Sequence, residues 1–253
     1  MVDHAVQAIS LAVAVAALLV PAHDTSAVDN SWIGQNFGLW NVASNWSLNA
    51  VPPNTTHTVY LSSPTTAGPG SQTVFYVNPN TVNIGPTTIQ GLNGTTMTLQ
   101  QSAYFLWANA LNIGSSPGGT GYYQLVGGSI FTDENLNIGG AGTGSFLHAG
   151  GDLNTGGNTF IHPGSTYHNT GGTLNVGSTF GTLQNRGAIT QSGGLVSSVF
   201  GATNEAGGTY ALSNGTFITN IVDSFIAFTN NGYFTQTGGS AQMVDLLIAT
   251  TGT

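Results

Sequence analysis

The chain has 253 residues and a formal charge of −8, with nine carboxylates, no lysine and one cation, Arg186. A phosphate-binding surface needs clustered cations, so nucleic acid and anionic membrane surfaces are excluded as partners. The absence of cysteine removes disulfides and thiol chemistry, and the absence of lysine removes Schiff-base and isopeptide chemistry within the chain.

The first segment, residues 1–27, carries an apolar run from Leu11 to Ala22, followed by Thr25, Ser26 and Ala27. The run is short for a bilayer span and suits a secretory signal peptide, with Ala22 or Ala27 preceding cleavage. Asp3 and His4 stand where Lys or Arg is usual, so a retained apolar segment capping the fold is the alternative. No membrane span is expected in the mature chain.

Residues 28–66 hold Trp32, Trp40 and Trp46, then Pro52, Pro53 and a strand pattern over Thr58, Val59, Tyr60 and Leu61. They carry no repeat register and are expected to cap a repeat domain, because an open solenoid end needs bulky side chains over its first core layer. A carbohydrate platform is the functional alternative for the tryptophans.

From 67 to 253 an internal repeat of about 22 residues dominates. Its aromatic column runs Tyr123, Phe146, Tyr167, Ile189, Tyr210, Phe234, and a glycine column runs Gly128, Gly151, Gly172, Gly194, Gly215, Gly239. Ile130, Leu153, Leu174, Val196, Phe217 and Ala241 trail two residues behind the glycines. Each run is short, alternates apolar with polar residues and is broken by Gly, which predicts strands. The expected fold is therefore all-β: a single-stranded parallel β-helix, or β-solenoid, of about eight coils, with the aromatic column inside and the glycines at a corner. Val82-Asn83-Ile84-Gly85, Leu111-Asn112-Ile113-Gly114, Leu136-Asn137-Ile138-Gly139 and Leu174-Asn175-Val176-Gly177 form a second set, whose Asn residues are expected to build amide ladders. The last coil, from Asp245, is expected to be unfinished and to leave an open strand edge.

Trp32, Gly34, Trp40, Asn45-Trp46 and Pro52, in that order and followed by these coils, resemble the start of secreted bacterial β-solenoid proteins with autotransporter-associated β-strand repeats. The acidic residue that often follows the Pro in that family is absent, and His57 lies nearby instead. The resemblance implies an extracellular or cell-surface β-helix, right-handed, with a structural or adhesive duty.

Chemical motifs are sparse. Gly139 to Phe146 follows the calcium-binding solenoid pattern but has Gly144 at the position of the ligand Asp. Asp133 and Glu134 are adjacent, and neighbouring strand residues point to opposite faces. His148 and His168 fall on consecutive coils in registers that differ by one, which also predicts opposite faces. No catalytic residue, cofactor or metal site is expected. Asn45, Asn54, Asn93 and Asn214 lie in Asn-x-Ser/Thr sequons and are candidate glycosylation sites. The expected role is a secreted structural protein whose partner is a second copy of itself, joined end to end as a homo-oligomer or homopolymer in an extracellular filament or surface layer. A monomeric adhesin that contacts extracellular glycans is the alternative, and a polysaccharide-processing enzyme is a weaker one.

Overall fold

The computed structural model describes residues 27–248, apart from 35, 63–69, 81, 220–227 and 244–245. The segment read as a signal peptide therefore lies outside the described residues, as does most of the stretch from Asp245 onward. What is described is a β-solenoid of about seven turns with about 24 residues per turn, whose strand-to-strand pairings within the sheets are all parallel. Among the described residues no helix is long and apolar enough to cross a membrane.

Each full coil contributes a strand to three faces. In one coil these are Thr120–Leu125 on the first face, Ser129–Thr132 on the second and Leu136–Ile138 on the third. Alternate residues of each strand point inward, as the period of two requires. Inside the first face, Val74, Leu99, Tyr123, Phe146, Tyr167, Ile189, Tyr210 and Phe234 pair in one continuous column. All are buried except Phe234, which packs partly buried against the core. The trailing apolar column stacks in the same way on the second face, from Ile130 through Leu153, Leu174, Val196 and Phe217 to Ala241.

Coil length varies along the rod. From Val74 to Leu99 and on to Tyr123 the steps are 25 and 24 residues, whereas from Phe146 to Tyr210 they are 21 or 22. The later, shorter coils set the apparent period. The set of four Asn-containing tripeptides also divides. Leu111–Ile113 and Leu136–Ile138 stack on the third face, but Val82–Ile84 and Leu174–Val176 belong to the second. Both faces use an apolar–polar–apolar strand followed by a turn, so the tripeptide alone does not identify its face.

The tryptophan segment is the first coil. Val28–Ser31 pairs with His57–Ser62 on the third face, and Phe37–Leu39 pairs with Gln72–Tyr76 on the first. Where a second-face strand would follow, Val42 to Leu48 arches over the core through a short 3₁₀ turn at Ala43–Asn45. Trp32, Trp40 and Trp46 are fully buried beneath it. Their rings meet edge to face, at 5.4 Å between Trp32 and Trp46 and 4.7 Å between Trp40 and Trp46, and Trp40 rests against Tyr76 at 5.3 Å. The Trp46 indole N–H donates to the Trp40 carbonyl at 2.7 Å. Gly34 and Gly38 are required by this packing, because a Cβ on either would come within 2.7 Å of the Trp32 ring. Replacing Trp46 by Ala should cost about 3–5 kcal/mol of stability, read as a lower urea midpoint.

Candidate functional site

The corner between the first and second faces combines backbone, side-chain and surface features that recur coil by coil. Gly128, Gly151, Gly194, Gly215 and Gly239 there have φ between 67° and 88°, a region that side chains with a Cβ rarely adopt. Gly172 departs from the column and has a different cause: a Cβ there would lie 2.0 Å from Nε2 of His148.

Three residues before this corner runs a second column, Gln101, Leu125, His148, Asn169, Gln191, Leu212, Gln236, buried in the core as far as Leu212 and exposed at Gln236 in the last coil. Its polar members each donate to the corner carbonyl three residues ahead. Gln101 reaches Tyr104 at 3.0 Å, His148 reaches Gly151 at 3.1 Å, Asn169 reaches Gly172 at 3.3 Å, and Gln191 and Gln236 reach Gly194 and Gly239 at 3.2 Å. The remaining acceptors are taken by tyrosines of the next coil. Tyr123 donates to Gln101, Tyr167 to Nδ1 of His148 at 2.8 Å, and Tyr210 to Gln191 at 2.6 Å. Where this column holds Leu125 or Leu212, the next coil supplies Phe146 or Phe234 instead of Tyr. At Asn169 the next coil supplies Ile189, and the Asn oxygen accepts from the N–H groups of Gly171 and Gly172. Buried polar groups thus find partners and buried apolar groups meet apolar ones. Burial pushes the Tyr123, Tyr167 and Tyr210 hydroxyls well above the usual phenol range.

His148 is held by the same network. Donation to the Gly151 carbonyl places its proton on Nε2 and leaves Nδ1 as acceptor. Burial lowers its pKa to about 4, outweighing the opposing effects of the Gly151 carbonyl and the Asp152 charge. Both ring nitrogens are thus engaged within the fold. His168, in the adjacent register, faces outward and bonds to Thr190, so the two do face opposite sides. Asp133 and Glu134 lie in the turn between the second and third faces. Among the described residues no three His, Asp or Glu side chains gather where a metal could sit. Arg186 makes a two-pronged surface pair with Glu205, at 2.6 Å and 3.1 Å.

The sequons divide. Asn54, Asn93 and Asn214 are exposed, Asn93 at the tip of a turn with φ of 57°. Asn45 is half-buried and its amide donates to the Leu39 carbonyl at 3.1 Å, so a glycan there would remove a contact of the tryptophan arch.

One coil breaks the corner rule. The pairing of Phe105 with Ser129 places Tyr104 level with Gly128. Tyr104 keeps the glycine-like φ of 70° and is 47% exposed. A bulky residue in this conformation costs on the order of 1–3 kcal/mol. Two hydrogen bonds to its carbonyl hold it there, one from Gln101 at 3.0 Å and one from the Ser129 N–H at 2.8 Å. Phe105 and Trp107 follow on the outside of the second face, and Phe131 stacks beside Trp107 in the next coil. Ring centroids lie 5.3 Å apart for Trp107 and Phe131 and 6.4 Å apart for Phe105 and Trp107, both edge to face. The outward column reads Asn83, Trp107, Phe131, Asn154, Asn175. Asn175 donates to Asn154 at 2.9 Å, while the Trp107 indole N–H and the Asn83 side-chain oxygen are buried without a protein partner. Sequence reasoning missed this cluster because the glycine column was started at Gly128. Extending it one coil upstream would have placed Tyr104 at a glycine position.

Because the folded-state pKa of His148 is depressed, the unfolded chain takes up the proton first as pH falls. Stability should be complete above pH 6.5, the ordinary histidine value, and be lost progressively down to about pH 4, by roughly 3 kcal/mol. His148→Gln keeps a donor for Gly151 and an acceptor for Tyr167, as Gln191 does for Gly194 and Tyr210, and should flatten the urea-midpoint profile across that window.

In comparisons with protein-family models, curated proteins and solved structures, nothing matched this chain.

Proposed function

We propose that this protein is a secreted structural component, a β-solenoid that joins copies of itself end to end in an extracellular filament or surface layer. The resemblance of its first coil to solenoids with autotransporter-associated repeats belongs to the same reading, and so does an extracellular location. No enzymatic step is assigned to it.

The observation that carries the proposal is where apolar surface is left uncovered. Thirteen large hydrophobic side chains are exposed among the described residues, and ten of them belong to the first and last described coils: Val28, Ile33, Phe37, Leu39, Val42 and Leu48 at one end, Tyr233, Leu246, Leu247 and Ile248 at the other. Exposed apolar patches of this kind mark association surfaces. The last coils also surround a recess of about 390 Å³ lined by Phe228, Phe234, Ala241, Met243, Leu246 and Ile248, with Asn230 and Gln236 as its polar members. Among the described residues the outermost strands at both ends have one paired and one unpaired edge, which suits them to accept a further strand. With only 4% charged residues, little repulsion opposes close approach of two ends.

Negative-stain electron microscopy of the purified protein across a concentration series tests the reading. Filaments with an axial repeat of about 45 Å, the height of the ten strands stacked on the third face at the strand spacing, are expected at high concentration. Single short rods at every concentration would overturn it.

A further inference from the structure

We propose that the aromatic cluster on the second face is a binding site for a neutral, extended polysaccharide, with Tyr104, Phe105, Trp107 and Phe131 as the platform and Asn154 and Asn175 as hydrogen-bonding groups. This site lies on the flank of the solenoid and does not depend on end-to-end association.

Four observations meet there. Tyr104 occupies a corner that the later coils build from glycine, and it holds a strained backbone while displaying an exposed ring. Packing does not account for that choice, because glycine serves the same corner without strain at Gly128 and Gly151. A strained, exposed aromatic whose carbonyl is held by the Gln101 amide and the Ser129 N–H points to a functional position. Secondly, Phe105, Trp107 and Phe131 point outward from the same face, where neighbouring coils show Ser129, Asn154, Thr173 and Asn175.

Thirdly, the same column continues into amides. Asn154 and Asn175 spend one donor and one acceptor on each other, leaving the Asn154 NH₂ and the Asn175 oxygen for a ligand. Sugar rings present C–H groups on one side, which pack on aromatic faces, and hydroxyls around the rim, which both give and accept hydrogen bonds. Aromatic rings beside amides satisfy both needs. Successive positions along the column are about 4.8 Å apart, close to the advance per residue of an extended β-linked polysaccharide, so a chain lying parallel to the solenoid axis meets one side chain per sugar.

Fourthly, charge selects the class. The protein carries −8 with Arg186 as its one cation, and Arg186 is paired with Glu205. Asp152 lies beside the amides on this face. An acidic polysaccharide would be repelled, and a neutral one would not.

Tryptophan fluorescence reads the site directly, because Trp32, Trp40 and Trp46 are buried and Trp107 is the outward-facing indole. The full chain is titrated with cellohexaose, xylohexaose, mannohexaose and laminarihexaose. At least one should give a saturable change in emission, and Trp107→Ala should abolish it while weakening binding, measured by calorimetry, about tenfold or more. Tyr104→Gly separates function from folding: it should raise the melting temperature, since it restores the residue used at the later corners, and weaken binding several-fold. Unchanged affinity in a stabilised Tyr104→Gly protein would overturn the proposal, and so would the absence of binding to all four oligosaccharides.

Discussion

Neighbouring strands in each sheet are separated by a whole coil of sequence, so no tight turn fixes their register. A slip of one residue would turn every inward side chain out. The side chains themselves must therefore specify alignment, and the inner corner of this solenoid does so by chemical matching. Tyr123, Tyr167 and Tyr210 lie over Gln101, His148 and Gln191, and Phe146 and Phe234 lie over Leu125 and Leu212. A coil shifted along the stack by one position would set a hydroxyl against leucine or a phenyl ring against an amide. Each orphaned buried polar group costs about 1–3 kcal/mol, which is large beside the stability of a typical domain.

The columns that repeat in kind were legible in sequence. The aromatic and trailing apolar columns and the corner glycines all stack as the periodicity implies, because an inward position tolerates only a narrow range of residues. Relations between coils were less legible. The tyrosine–amide match links positions 19 to 22 residues apart whose identities change in concert, and neither column looks regular alone. Amide ladders illustrate the same limit. Asn137 donates to Asn112 on the outside, as the repeated tripeptides suggest, but a second ladder runs inside the third face, from Asn185 to Asn204 at 2.8 Å and from Asn204 to Asn230 at 2.7 Å. It occupies the column filled upstream by Ile113, Ile138 and Ile161. No periodicity announces the change from isoleucine to asparagine, and it is tolerated because each amide finds the next.

Near-absence of charge runs through all of this. Cohesion comes from stacked backbone hydrogen bonds, apolar burial and matched neutral polar groups, and the one ion pair among the described residues, Arg186 with Glu205, sits on the surface where such contacts contribute little. The chain is thus insulated from ionic strength in a way that a solenoid held by charged ladders is not. The tryptophan arch completes the design at one end. It covers the first core layer with three indoles, which bury large area at low side-chain entropy cost.

The matching rule at the inner corner also bears on how such a chain can change length over evolutionary time. Contacts in a solenoid are confined to adjacent coils, so duplication or loss of a coil disturbs one junction and leaves the others intact. Here a new junction is compatible when the upper coil offers tyrosine to glutamine or histidine, or phenylalanine to leucine. Coils ending in Leu125 and Leu212 are interchangeable by that criterion, and so are those ending in Gln101 and Gln191. The rod therefore behaves as a sequence of tiles with matched edges, the self-satisfied Asn169 beneath Ile189 being a third kind, and recombination that sets tyrosine over leucine would leave a buried polar group without a partner.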